Sequence, residues 1–351
     1  MRNWFLPACF FIFALLSVQT LSSVAPDLAD RQLIFFIIGG VFFYLQSQVP
    51  FTRLLQLRWP LYVLGIILLL IPLFLFGPTR NTHRWIDLGF FTIQSSQLAL
   101  PLTIFSLLTV LTQTKTYNWA VLFKFFLCMG LPAALILIAP DLGSMLTYAF
   151  PVLTLLILVP FSWKHFLPLF VLAVVGTYAA WHFVLEDYQK VRFMSFLNPE
   201  SADNYNAHQA LITVGSGQFI GRGLGQGVQS HLRFLPERHT DFIFASFAEE
   251  YGFVGCLVLV AAYGALITFL FTQSRKATTP EEKLFLSTVA MAVLLQASIN
   301  IHMNLGLLPI TGVTLPLMSY GGSSVMSLAI VLGMAQNVIS HIPNKSALHI
   351  T

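Results

Sequence analysis

Asp241 stands in the stretch Phe234–Phe244, FLPERHTDFIF, with Glu237, Arg238, His239 and Thr240 just ahead of it and an apolar run behind. In a chain of 351 residues that is only 9% charged, such a cluster needs a reason. A carboxylate beside a histidine and an arginine has the parts for one kind of chemistry. The carboxylate takes a proton from a hydroxyl, and the cation steadies a departing anion. Thr240 or Asp241 also suits the N-cap of the helix that follows. A cap needs one of them, however, and does not need Glu237, Arg238 and His239 alongside. Glu249 and Glu250 share roughly the helical face of Asp241. An ionisable group inside a membrane span costs on the order of 3 kcal/mol, which marks it as a functional candidate.

Four further segments carry polar groups with a pattern. Arg80–Gln97 reads RNTHRWIDLGFFTIQSSQ. Its Arg80, His83 and Arg84 suit phosphate or sugar, and Trp85 suits a membrane interface; the plainer reading is an aromatic anchor with snorkelling arginines. Ala139–Gly143, APDLG, is a break between apolar runs, with Asp141 placed to cap the next helix. Tyr188–Ser230 opens with Tyr188, Gln189 and Arg192, continues through FLNPE and ends in a glycine run, Gly215–Gly227. The run lacks the Lys-Ser/Thr ending of a P-loop and no strand precedes it; its glycines would allow close backbone approach to a substrate. Asn300–Ser324 gathers Asn304, Pro309, Thr311, Gly312, Pro316, Ser319, Tyr320 and Gly321. That composition suits a broken segment lining a cavity.

The elements that position these groups are membrane helices. The chain is 56% hydrophobic with a mean hydropathy of +0.78 and 33 Phe, beyond what a soluble domain tolerates. Lipid offers the backbone no hydrogen-bond partner, so the expected fold is all-α and polytopic. Ten spans are expected, at about 4–22, 32–49, 60–77, 92–112, 119–138, 143–160, 165–184, 243–272, 284–303 and 322–340. They form a single membrane domain, 1–351, with one long extracytoplasmic loop at about 185–240. The first apolar run has no convincing cleavage site and reads as a retained span. Cys9, Cys128 and Cys256 are widely spaced and suggest neither disulfides nor a metal site. Arg53, Arg58, Lys115, Lys164, Arg275, Lys276 and Lys283 fall in short loops on one side, which sets both termini in the cytoplasm. Against that bias, Arg80, Arg84, Lys190, Arg192, Arg222, Arg233 and Arg238 lie outside. They serve an anion such as a pyrophosphate, or they balance nearby carboxylates.

With these segments assembled, the chain resembles the SEDS family (shape, elongation, division and sporulation), which includes RodA and FtsW. The matching pieces are RWIDLG, PDLG, YQ with Arg192, FLNPE, the glycine run, FLPERHTDFIF, and NLGLLPITGVTLPLMSYGGSS. PITG places it closer to the RodA branch. The resemblance implies a peptidoglycan glycosyltransferase of the bacterial cytoplasmic membrane that polymerises lipid II at the outer face, in elongation or division. It implies that Asp241 is the essential carboxylate and that Trp85 is the tryptophan of RWI. It further implies a class B penicillin-binding protein as partner and support from a divalent cation, Mg²⁺ or Mn²⁺, with ligands unknown; nucleic acid has no part. Three departures stand out: Gln97 where the family has an acidic residue, Ala139 for Gln in QPDLG, and Gln218 for Gly in GSGG.

Lipid pyrophosphate departs readily once its charge is screened, so one base suffices where a glycosidase needs two carboxylates. Asp241 would deprotonate the acceptor hydroxyl, and attack opposite the leaving group would invert the anomeric centre. Substrate contacts are expected from Trp85, Arg80, Arg84, Arg192, Arg238, His239, Ser319 and Tyr320. The rival readings are a flippase for the same lipid and a scaffold that recruits a synthase. A partner is expected along the eighth and ninth spans, past outward small residues such as Ala262 and Ala290.

Overall fold

The computed structural model describes residues 4–75, 85–87, 89, 92–114, 116–139, 141–183, 185, 187–197, 205–232 and 234–343. In chain order the elements are α1 Phe5–Val24, α2 Pro26–Gln48, α3 Phe51–Gln56, α4 Arg58–Phe74, β1 Trp85–Asp87, β2 Thr92–Gln94, α5 Ser95–Thr112, α6 Trp119–Ile138, α7 Leu142–Leu158 and α8 Trp163–Phe183. The remainder are α9 Asp187–Leu197, α10 Tyr205–Ser216, α11 Val228–His231, α12 Ile243–Lys276, α13 Pro280–Asn304 and α14 Gly322–His341. Eight helices are long and apolar enough to cross a membrane, and α4 and α7 are shorter apolar helices. Together they match the ten expected spans one for one. Among its described residues the expected long loop contains three helices, α9, α10 and α11.

Small residues let the central helices approach closely. A Cβ on Gly333 of α14 would stand 2.4 Å from the Phe43 carbonyl of α2, and one on Gly39 would stand 3.2 Å from Val325. This is how helices associate where hydrophobic exclusion gives no drive. Buried polar side chains add direction. At one face of the bundle Asn337 accepts from the Phe51 amide (3.1 Å) and donates to the Ser47 carbonyl (2.9 Å). At the opposite face Gln32 donates to Ser17 Oγ and to the Ser319 carbonyl, each at 3.1 Å, and accepts from the Gly321 amide.

The turn before α13 shows why the sequence bends there. Arg275 and Lys276 close α12, and Thr279, Pro280 and Glu282 form a capping box with proline at the first helical position. These residue types satisfy the end groups that a helix leaves unpaired. Ala290, expected on the lipid side, is fully buried, because α13 packs against α12, α7, α5 and α14. Ala262 is half-buried, and Gly264 is exposed. Helix α8 has no buried residue.

α12 is not one straight rod. Gly252 breaks it with φ 66° and ψ −165°. A break leaves backbone groups without helical partners, and the glycine run supplies them. The amides of Arg222 and Gly223 donate to the carbonyls of Glu249 and Glu250, at 2.9 and 3.1 Å. The amides of Phe253 and Val254 donate back to Gln218 and Phe219, at 2.9 and 3.1 Å. A Cβ on Gly217 would stand 1.9 Å from the Ala248 carbonyl, and one on Gly221 would stand 2.1 Å from the Glu250 carbonyl. The close approach expected toward a substrate is thus made to the broken backbone of α12.

Candidate active site

The break at Gly252 detaches the first turns of α12 from its membrane-spanning part, and Asp241 precedes those turns. From Phe253 to Lys276 the helix is about 36 Å long, enough to cross an apolar slab of about 30 Å. The 25 residues of α13 rise about 37 Å, and Asn304 at its end meets Ala245. Asp241 therefore lies at the membrane boundary remote from the Asn337 clasp.

The segment 237–242 is a set of tight turns. Glu237 takes φ 46°, and its carbonyl accepts the amides of Thr240 and Phe242 at 3.1 and 3.3 Å. Its carboxylate accepts from Thr240 Oγ1 at 3.1 Å and lies 3.8 Å from His239 Nε2. The residue at the N-cap of α12 is Phe242, which has no side-chain group to offer. The Ala245 amide finds its acceptor in Asn304 Oδ1, at 3.1 Å, from a different helix. Asp241 itself is half-buried. Its backbone carbonyl accepts from Asn300 Nδ2 at 2.9 Å and from Asn304 Nδ2 at 3.0 Å.

The far segment closes around this turn. Ser319 Oγ donates to the Thr240 carbonyl (2.7 Å) and accepts from the Leu315 amide (2.8 Å). The Tyr320 amide donates to the His239 carbonyl at 2.9 Å, and the two rings meet edge to face at 5.9 Å. Gly312 has φ 74°, and a Cβ on it would stand 3.6 Å from Asp241 Oδ2. Glycine suits this position because its φ is positive, while a Cβ would meet the carboxylate only at ordinary contact distance. Gly143 of APDLG packs behind, where a Cβ would stand 2.7 Å from the Thr311 carbonyl.

Asp141 caps α7 as expected: its Oδ1 accepts from the Ser144 amide (3.1 Å). Its Oδ2 accepts from Ser144 Oγ and Gln94 Nε2, each at 2.7 Å. Gln94 lies opposite Trp85 in the β1–β2 hairpin, and its amide donates to Ser323 Oγ at 2.8 Å. RWIDLG, PDLG and YGGSS, far apart in sequence, are thereby joined around one polar cluster.

Of the expected substrate contacts, His239, Tyr320 and Arg238 stand beside Asp241, and Trp85 is half-buried on the hairpin. Arg238 Nε donates to the Val24 carbonyl at the α1–α2 turn, at 3.1 Å. Ser319 is buried, with its hydroxyl committed to the turn. Arg192 falls on α9. Arg80 and Arg84 lie outside the described residues. Glu249, expected to share the face of Asp241, is fully buried and binds elsewhere. It accepts from the amides of Gln229 and Ser230 and from Ser230 Oγ, at 2.9, 3.0 and 2.6 Å, and so ties α11 to α12. Glu250 accepts from Ser23 Oγ, joining the α1 end to the same hub. Among the described residues no three His, Cys, Asp or Glu side chains converge as a metal cage would require. Sequence reasoning placed Asn300 and Asn304 in the polar segment Asn300–Ser324 but assigned neither a part in the site.

The family described as "Cell cycle protein", FTSW_RODA_SPOVE, matches residues 3–343. The peptidoglycan glycosyltransferase MrdB of Helicobacter pylori (strain ATCC 700392 / 26695) is 34% identical over 342 residues, covering 94% of this chain and 88% of the relative. MrdB of Escherichia coli (strain K12) is 32% identical over 339 residues, covering 94% and 90%. Among solved structures, a chain of a peptidoglycan synthase complex that coordinates polymerization and crosslinking superposes with a TM-score of 0.81 at 29% identity, covering 97% of this chain and 98% of the other. The rod shape determining protein RodA of Thermus thermophilus superposes with a TM-score of 0.73 at 27% identity, covering 98% of each.

Proposed function

Because this chain belongs to the FtsW/RodA/SpoVE family, we propose that it is a peptidoglycan glycosyltransferase that polymerises lipid II, with Asp241 as its base. The observation that carries the site assignment is the setting of Asp241. It is a half-buried carboxylate at one membrane boundary, on a turn held by α13 and by the segment 312–320. A base there reaches an acceptor sugar in water while the donor's lipid stays in the bilayer. Asp241 takes the proton of the acceptor hydroxyl as that oxygen attacks the anomeric carbon. Arg238, and Arg80 and Arg84 by sequence, are the cations assigned to the leaving pyrophosphate.

The divalent cation implied by the family fits this donor set in one way. A hard ion of the Mg²⁺ type is held by one or two carboxylates together with substrate phosphates, so Asp241 and the pyrophosphate would hold it. When bound, it screens the leaving charge.

The site faces outward from the bacterial cytoplasmic membrane, with both termini inside. The Lys/Arg bias supports this: Arg53, Arg58, Lys164, Arg275, Lys276 and Lys283 lie at loops of the end opposite Asp241. The partner is a class B penicillin-binding protein, docked by its membrane helix. A flippase would place ionisable groups near mid-depth. Here the buried carboxylates Asp141, Glu249 and Glu250 all sit at the Asp241 end. The deciding experiment incubates purified protein with lipid II and resolves glycan chains on a gel. Chains longer than the substrate are expected; translocation of lipid II in vesicles without any chain growth would overturn the reading.

A further inference from the structure

Asn300 and Asn304 stand one helical turn apart on one face of α13. Both are fully buried, and both donate to one backbone carbonyl, that of Asp241. Asn300 Nδ2 donates to the carbonyls of Asp241 (2.9 Å) and Val313 (2.8 Å). Asn304 Nδ2 donates to the carbonyls of Asp241 (3.0 Å) and Asn300 (2.8 Å), while its Oδ1 accepts from the Ala245 amide (3.1 Å). The network fixes both amide orientations: only an oxygen can receive Ala245 N–H at Asn304, and only a nitrogen can donate to the two carbonyls that Asn300 Nδ2 meets.

Two consequences follow from these bonds. First, two donors occupy both lone pairs of the Asp241 carbonyl, so the peptide that follows Asp241 cannot swing. Second, an early amide of α12 has its acceptor on α13. The first turn of a helix ordinarily draws on a nearby Asp, Asn, Ser or Thr for that task. The Val313 bond also ties the Asn300 amide group to the irregular segment that carries Gly312, the wall that the Asp241 carboxylate faces. The clamp therefore sets both the backbone that bears the carboxylate and the surface opposite it.

We infer that Asn300 and Asn304 are positioning residues for the glycosyl transfer: they hold the Asp241 backbone so that its carboxylate is aimed at the acceptor. This rests on the reading of Asp241 as the base. The competing account is that the pair only glues α12 to α13. Asn337 provides the comparison, because it is also buried and clamps backbone groups of another element, but at the opposite membrane face.

The test measures kcat and KM for lipid II polymerisation, and Tm in detergent, for Asn300→Ala, Asn304→Ala, Asn304→Asp, Asn337→Ala and Asp241→Asn. Asn304→Asp keeps the acceptor for Ala245 with almost no change of volume; its carboxylate removes the donor to Asp241, whereas its neutral acid can restore that bond through its O–H, so kcat is followed across pH and should fall as the acid ionises. Displacing a reacting group by about 1 Å costs on the order of 100-fold in rate. The expected result is a 10- to 100-fold loss of kcat at Asn300 and Asn304, KM within about twofold, and a Tm loss no greater than that of Asn337→Ala, which keeps its kcat. Two results overturn the inference: wild-type kcat at every pH in folded variants of Asn300 and Asn304, or an equal loss of kcat in Asn337→Ala. If Asp241→Asn polymerises normally, the base assignment itself falls, and that outcome is distinct from both.

Discussion

At the scale of single residues, charge and space around Asp241 make separate predictions. Asp241→Asn keeps the size and the hydrogen-bonding reach of the side chain but removes its basicity. It should abolish glycan polymerisation on gels while Tm stays within a degree or two of the parent. Joint loss of stability and activity would instead make Asp241 a structural residue. Gly312→Ala should cost stability, since it forces a side chain to φ 74°, and activity, since relief of that strain shifts the backbone facing Asp241. A polymerisation rate at least tenfold lower and a stability loss of about 1 kcal/mol are expected, from the gel assay and thermal unfolding. Asp241 was legible from sequence because a charge cluster is expensive in a chain this apolar. Asn300 was legible only as the start of a polar segment, because sequence does not say which backbone groups a buried amide meets. Its meaning comes from a contact 59 residues away.

At the scale of elements, the ten spans were readable from hydropathy alone, because lipid leaves helices as the economical choice. The break in α12 was not, since Gly252 and Gly255 sit inside an apolar run long enough to read as one continuous span, and an isolated glycine is tolerated in such a helix. The glycine run was visible, but its partner was not: composition cannot say whether a flexible backbone approaches a ligand or another backbone. Gly221→Ala should therefore destabilise the fold by about 2 kcal/mol or more, seen as a lowered Tm, because its methyl collides with the Glu250 carbonyl. Gln218 now has a physical description as a departure from the family pattern. It takes φ 51°, where glycine rests without strain. Gln218→Gly should raise stability by up to about 1 kcal/mol, the relief of strain less the added chain entropy. A lowered Tm in that variant would show that the Gln side chain holds something the backbone does not need.

At the scale of the whole molecule, sidedness and partnership are the properties to test. Cysteines placed at 220–226 should react with a membrane-impermeant reagent from outside, and those at 276–282 only after permeabilisation; the reverse pattern would put Asp241 in the cytoplasm. A class B penicillin-binding protein should raise the polymerisation rate of the purified protein. Gly264, exposed on α12 with open space where a Cβ would stand, is where a bulky substitution such as Gly264→Trp should blunt that rise without lowering the basal rate. An unchanged response would move the docking site off this face. The clamp on Asp241 also has a meaning in time. A ribosome delivers the glycine run before α12, so the break at Gly252 can be closed as soon as it is made. The groups that hold Asp241 come later: Asn300, Asn304, Gly312, Ser319 and Tyr320 all follow it in the chain. Until α13 and α14 are inserted, the turn that bears Asp241 lacks these holds, and the proposed site assembles only after both have joined the bundle.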